Sequence, residues 1–151
     1  MTTTTVALSS DYWSILGHGV SAIVLYTIVG IALMVLGFYV IDWTTPGPLR
    51  VLVQAGRPNA AAVAASGVLS MAIIIVLAIY ASSGDLIQGL IMTLVFGLLG
   101  IAAQAFSVRL IGAIKGIDMG RVLAQETFTP EVLVITAAYL AFGLIVAAAI
   151  L

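Results

Sequence analysis

Apolar residues run along this chain in four long blocks, residues 15–41, 59–81, 86–108 and 131–151, with charge confined to their edges. The blocks show neither the strict alternation of a half-buried strand nor the one-sided stripe of a surface helix. A helix rises about 1.5 Å per residue and the bilayer core is about 30 Å thick, so roughly 20 apolar residues make one crossing. Each block therefore predicts a membrane-spanning helix. Between the second and third lies only Ala81-Ser82-Ser83-Gly84-Asp85, a turn-forming cluster that joins antiparallel neighbours in a tight hairpin. The first block is too long for a secretory signal, and Asp11 precedes it without any Lys or Arg, so it reads as a retained helix.

Composition sharpens this picture. Of 151 residues, 63% are hydrophobic and 7% charged, where a soluble domain carries about 25% charge. Mean hydropathy is +1.29. Too few polar groups exist to coat a water-soluble globule, so the lipid bilayer is the expected solvent and first partner. A net charge of -1 without any Lys/Arg run argues against nucleic acid as a partner. The absence of cysteine rules out disulfides, thiolate metal sites and a cysteine nucleophile.

The basic residues are distributed one-sidedly. Arg50 and Arg57 fall between blocks one and two, and Arg109, Lys115 and Arg121 between blocks three and four, whereas the opposite side carries Asp11 and Asp85. Short loops rich in Lys and Arg stay cytoplasmic, which predicts loops 43–58 and 109–130 inside and both termini outside. Tyr12, Trp13 and Trp43 stand where an aromatic belt is expected.

Displacing the chain by 71 residues sets Arg50-Val51-Leu52-Val53-Gln54 on Arg121-Val122-Leu123-Ala124-Gln125, and nine of the 30 positions from that point agree without a gap. The polar Arg and Gln matches carry most of the excess over chance. The expected fold is an all-α integral membrane protein, one domain over residues 1–151, with four transmembrane helices arranged as two parallel-repeat two-helix units of about residues 15–81 and 86–151. Small residues mark the packing surfaces. They are Gly30 and Gly37 in the first span, Gly97 and Gly100 in the third, and the run Ala60 to Gly67, with Ser66, which predicts the start of the second span as the most tightly packed segment.

Asn59 followed by an Ala-rich helix start and then Ser66-Gly67, behind a basic or amide-bearing loop and inside a duplicated two-helix unit, resembles the small bacterial inner-membrane proteins of the YjfL type, the domain-of-unknown-function 350 family. The resemblance covers the chain from about Leu36 onward. It implies a bacterial plasma membrane, four helices, and a role beside membrane-stress or polyamine-synthase-like proteins. In that family a similar Asn recurs before the last helix, but here the repeat register sets Pro130 opposite Asn59.

Candidate chemistry is sparse. His18, near the outer end of the first span, and Asp42, at its inner end, are the weak titratable candidates, read as an interfacial hydrogen-bonded imidazole and a helix-boundary carboxylate. Gln104 and Ser107 read as interhelical glue, and Thr129-Pro130-Glu131 as a helix start with Thr129 as its cap. Gly-rich phosphate loops, His-Glu-x-x-His and a Ser elbow are all missing, and no acid or base falls in the middle of a span, so neither an enzyme, a metal centre nor any cofactor is expected. Polarity concentrates in Arg50, Gln54, Arg57, Arg109, Lys115, Arg121 and Gln125. These read as topology determinants, as contacts to anionic lipid, or as a docking surface for a membrane or cytoplasmic protein partner. The leading expectation is a non-enzymatic assembly or accessory protein that docks through its two loops. The alternative is a homo-oligomeric pore or small-ion or solute flux protein, lined by Ser66, Ser70, Gln104 and backbone oxygens.

Overall fold

The computed structural model describes residues 10–45, 47–82, 85–113 and 118–151, and among these every regular element is helical. The helices are α1 Ser10–Thr44, α2 Leu49–Gln54, α3 Pro58–Ala81, α4 Leu86–Ala113, α5 Met119–Ala124 and α6 Glu131–Ile150. Four of them, α1, α3, α4 and α6, are long and apolar enough to cross a membrane, and they fall on the four predicted spans.

Local chemistry sets their ends. Pro58 occupies the first turn of α3, where its missing N–H costs nothing. The chain turns into α2 at Gly47 and out of it at Gly56, whose φ values of 108° and 74° lie in the region that favours glycine. At the other end of α3, the Ser82 hydroxyl donates to the Ile79 carbonyl at 2.6 Å and closes the helix.

Close approaches fix the helix directions. Ile41 lies against Gly67 and Met71 against Gly37, so α1 and α3 run antiparallel. Gly67 also meets Tyr139, and Ser70 meets Gly143, so α3 and α6 run parallel. Tyr26 faces Gly89 and Leu33 faces Gly97, which makes α1 parallel to α4. Among the long helices, every pair packs extensively except α1 with α6, so α3 and α4 occupy the middle of the bundle. Helix α3 contributes most to the core: Asn59, Ala60, Val63, Ala64, Ser66 and Gly67 are all buried in its first three turns. That agrees with the expectation drawn from its small residues, because without large side chains the neighbouring backbones can approach closely.

The structure differs from the sequence reading in four places. Helix α1 is longer than the predicted 15–41, and α4 continues past residue 108 to Ala113. Hydropathy detects where lipid ends, whereas hydrogen bonding carries a helix onward into water or interface. Helix α2 was not foreseen, since six residues give no readable period. Thr129 does not cap α6; the N-cap position is Pro130, and no side chain caps this end.

Candidate functional site

The polar end of the bundle gathers the loop before α3, helix α2, helix α5 and the loop before α6. Its organising residue is Asn59, wholly buried in the first turn of α3. The Asn59 Nδ2 amide donates to the Val122 carbonyl at 2.8 Å, the Thr127 carbonyl at 3.2 Å and the Thr129 hydroxyl at 3.2 Å. Its Oδ1 accepts from the Thr129 backbone N–H at 3.1 Å. All four partners lie on the second loop segment, so one side chain fastens the two loops to each other. This explains why Thr129 is not a cap: its hydroxyl is already engaged.

A second link runs over the surface. Arg57 Nη1 meets Glu126 Oε1 at 2.7 Å, with the arginine half-buried and the glutamate mostly in solvent. At such exposure the pair adds about 0–1 kcal/mol, but it removes Arg57 from the free positive charge of this face. Leu49, Met119, Val122 and Leu123 fill the space beneath the short helices.

Arg50 and Arg121, which the repeat register superimposes, share a local arrangement. The Arg50 backbone N–H donates to Asp42 Oδ1 at 2.8 Å, and the Arg121 backbone N–H donates to Asp118 Oδ1 at 3.1 Å. In each case a carboxylate satisfies an open donor at the start of a short helix, while the arginine itself is exposed. Asp42 is thus committed to tying the end of α1 to α2, in keeping with the helix-boundary reading. Gln54 and Arg109 are exposed, Gln125 is half-buried with an Oε1 that finds no partner, and Lys115 lies outside the described residues.

Inside the bundle, Ser66, Ser70, Gln104 and Ser107 are buried in this chain's own core. The Ser70 hydroxyl donates to Gln104 Oε1 at 3.2 Å, the interhelical bond expected of an amide in lipid, but Gln104 Nε2 is buried with no acceptor. Ser66 and Ser107 return their hydroxyls to carbonyls of their own helices. A lining of Ser66, Ser70 and Gln104 between several copies is therefore at odds with the fold, because these groups face inward among α3, α4 and α6. Gly67, Gly97 and Gly100 act as packing positions, against Tyr139, Leu33 and Ile74 respectively.

Two further polar contacts were not anticipated. Thr45 and the fully buried Tyr139 bring their hydroxyls to 3.2 Å, joining the end of α1 to α6. Thr93 donates to Ser82, and Ser82 lies 3.4 Å from the Tyr26 hydroxyl, so the hairpin end has its own small network. Isolated Thr and Tyr residues inside apolar runs were the available signal. His18 is exposed on α1, far from the loop end, with Nδ1–H donating to the Ser14 carbonyl at 2.8 Å. Among the described residues no group of three or more His, Asp or Glu could hold a metal ion.

Comparison with known proteins places this arrangement in a family. A UPF0719 transmembrane protein of Mycobacterium bovis is 51% identical over 81 residues, covering 53% of this chain and 53% of the relative. One from Mycolicibacterium paratuberculosis is 43% identical over 84 residues, covering 55% of this chain and 56% of the relative. The chain spans about half the length of the curated relatives it matches. No solved structure matches it. The model of the family described as Domain of Unknown Function (DUF350) matches residues 14–150. With four membrane-crossing helices and a family match over nearly its whole length, this multi-pass membrane protein belongs to the DUF350 family.

Proposed function

We propose that the chain is a non-enzymatic assembly or accessory protein of a bacterial plasma membrane, docking a partner protein through the two interlocked loops, 43–58 and 109–130, on its cytoplasmic side. The observation that carries this reading is the clamp at Asn59. An amide that spends four hydrogen bonds on joining two loops builds a rigid platform, and rigidity lowers the entropy cost of binding. On that platform Arg50 and Arg121 are exposed, each on a short helix with its backbone held by a carboxylate. Arg57, by contrast, is neutralised by Glu126. The orientation follows from the basic residues, all of which fall in or beside these loops. We read the two successive units of long helix, short helix and long helix as a duplication, which makes the paired arginines equivalent parts of one surface.

The test is replacement of both Arg50 and Arg121 by Gln, followed by gentle extraction from the native membrane and weighing of intact complexes. We expect the wild-type chain to carry a foreign subunit in fixed ratio and the double variant, at equal abundance, to lose it. Retention of that subunit by the variant would remove the docking reading.

A further inference from the structure

Two of the membrane spans, α1 and α3, leave a groove between them that opens sideways. Its walls include Gly30, Ile31, Met34 and Val35 of α1 with Ala72 and Ile75 of α3, and it holds about 560 Å³. Small residues make the room: Gly30 has no side chain, and a methyl group there would already touch Ile75 Cγ2 at 3.6 Å. Met34 and Val35 also wall a second recess, which continues past Phe38, Tyr39 and Val68 and ends at Arg50. Together the two make one path along α1. From Tyr39 to Gly30 it runs about 14 Å, and half of a hydrocarbon core about 30 Å thick, one leaflet, is about 15 Å.

The charge at the end of this path is placed by the backbone. Asp42 Oδ1 accepts the Arg50 N–H at 2.8 Å, which holds the start of α2 beside the last turns of α1, and the Arg50 side chain then lines the recess with Tyr39. Among the described residues the Arg50 guanidinium has no ion-pair partner, Asp42 included, whereas Arg57 is paired with Glu126. Tyr39 and Trp43, on successive turns of α1, are 56% and 83% exposed, as in an aromatic belt at headgroup level.

An apolar path one leaflet deep that ends in an open guanidinium at headgroup level is complementary to an anionic phospholipid. We infer that one binds here, with its phosphate on Arg50 and an acyl chain along Val35, Met34 and Gly30. A guanidinium can give two parallel hydrogen bonds to phosphate oxygens, which adds direction to the attraction of charge. A lipid without net charge, or an apolar helix, would fill the walls but leave the guanidinium unmatched. The inference does not rest on loop docking: Arg121 lines neither recess, and the groove can be filled with both arginines kept.

The test is reconstitution in nanodiscs of equal parts phosphatidylcholine and phosphatidylglycerol, followed by release and weighing of the intact protein with the lipids it retains. The wild type is expected to keep phosphatidylglycerol in excess over phosphatidylcholine. Arg50→Gln is expected to lower that ratio about fivefold, the worth of one basic side chain at a membrane surface, and Arg121→Gln to leave it unchanged. Val35→Phe and Ala72→Leu, which fill the groove and keep Arg50, are expected to lose both lipids. Val35 is exposed and admits the larger ring without disturbing the core, so the test stands even if Ala72→Leu fails to fold. Retention of the two lipids by the wild type in the proportion offered, or an equal fall in Arg50→Gln and Arg121→Gln, would overturn the inference. So would undiminished retention in Val35→Phe at wild-type helix content, or a second copy or another protein bound in place of lipid.

Discussion

Residue by residue, the polar groups of this chain divide into those that hold it together and those left open. Asn59 and Gln104 are both wholly buried amides, but Asn59 has partners for both its nitrogen and its oxygen, whereas Gln104 lacks an acceptor for Nε2. A buried donor without a partner costs about 1–3 kcal/mol. Replacing Gln104 by Leu and Ser70 by Ala together removes both the orphaned Nε2 and the hydroxyl that Oε1 accepts from, so the double variant is expected to be as stable as the wild type or more so. Reversible unfolding in mixed detergent micelles measures it, and a loss above about 2 kcal/mol would show that Nε2 is bonded to something in the membrane. The sequence made both amides legible as candidates. It did not reveal their partners, because the groups Asn59 holds lie 63 to 70 positions away. In the sequence Glu126 is one acidic residue in a loop that also carries basic ones; proximity to Arg57 makes it a specific counter-charge.

At the scale of elements, glycines govern how closely the helices sit, and the cost of filling them depends on what stands opposite. A methyl group at Gly143 meets the Ser70 side chain and its Cα, so the obstruction includes backbone. At Gly37 the obstruction is Met71, a flexible side chain that can move aside. Alanine also gains up to about 1 kcal/mol over glycine within a helix. Gly143→Ala is therefore expected to lose about 1–3 kcal/mol by overpacking, and Gly37→Ala to be near neutral. Thermal inactivation of the solubilised protein ranks the pair; equal stability of the two would contradict this packing account. The four spans were readable because uninterrupted apolar length has few other physical explanations. The six-residue helices and the true ends of α1 were not, since they depend on Asp42, Asp118 and the positive-φ glycines, whose effect is geometric rather than hydropathic.

For the whole molecule, what matters is that two loops far apart in sequence behave as one body. Asn59 reaches from the start of α3 into the segment before α6, Thr45 reaches Tyr139, and the pairing of α3 with α6 continues that union through the membrane. A platform of this kind presents Arg50 and Arg121 at a fixed separation, which separate floppy loops would not. Hydrogen–deuterium exchange on the intact protein in lipid nanodiscs, comparing the wild type with Asn59→Ala, tests this directly. The account predicts that amides of residues 119–129 exchange markedly faster in the variant while the membrane-buried part of α3 stays protected. Acceleration confined to the first turn of α3, with residues 119–129 unchanged, would contradict it.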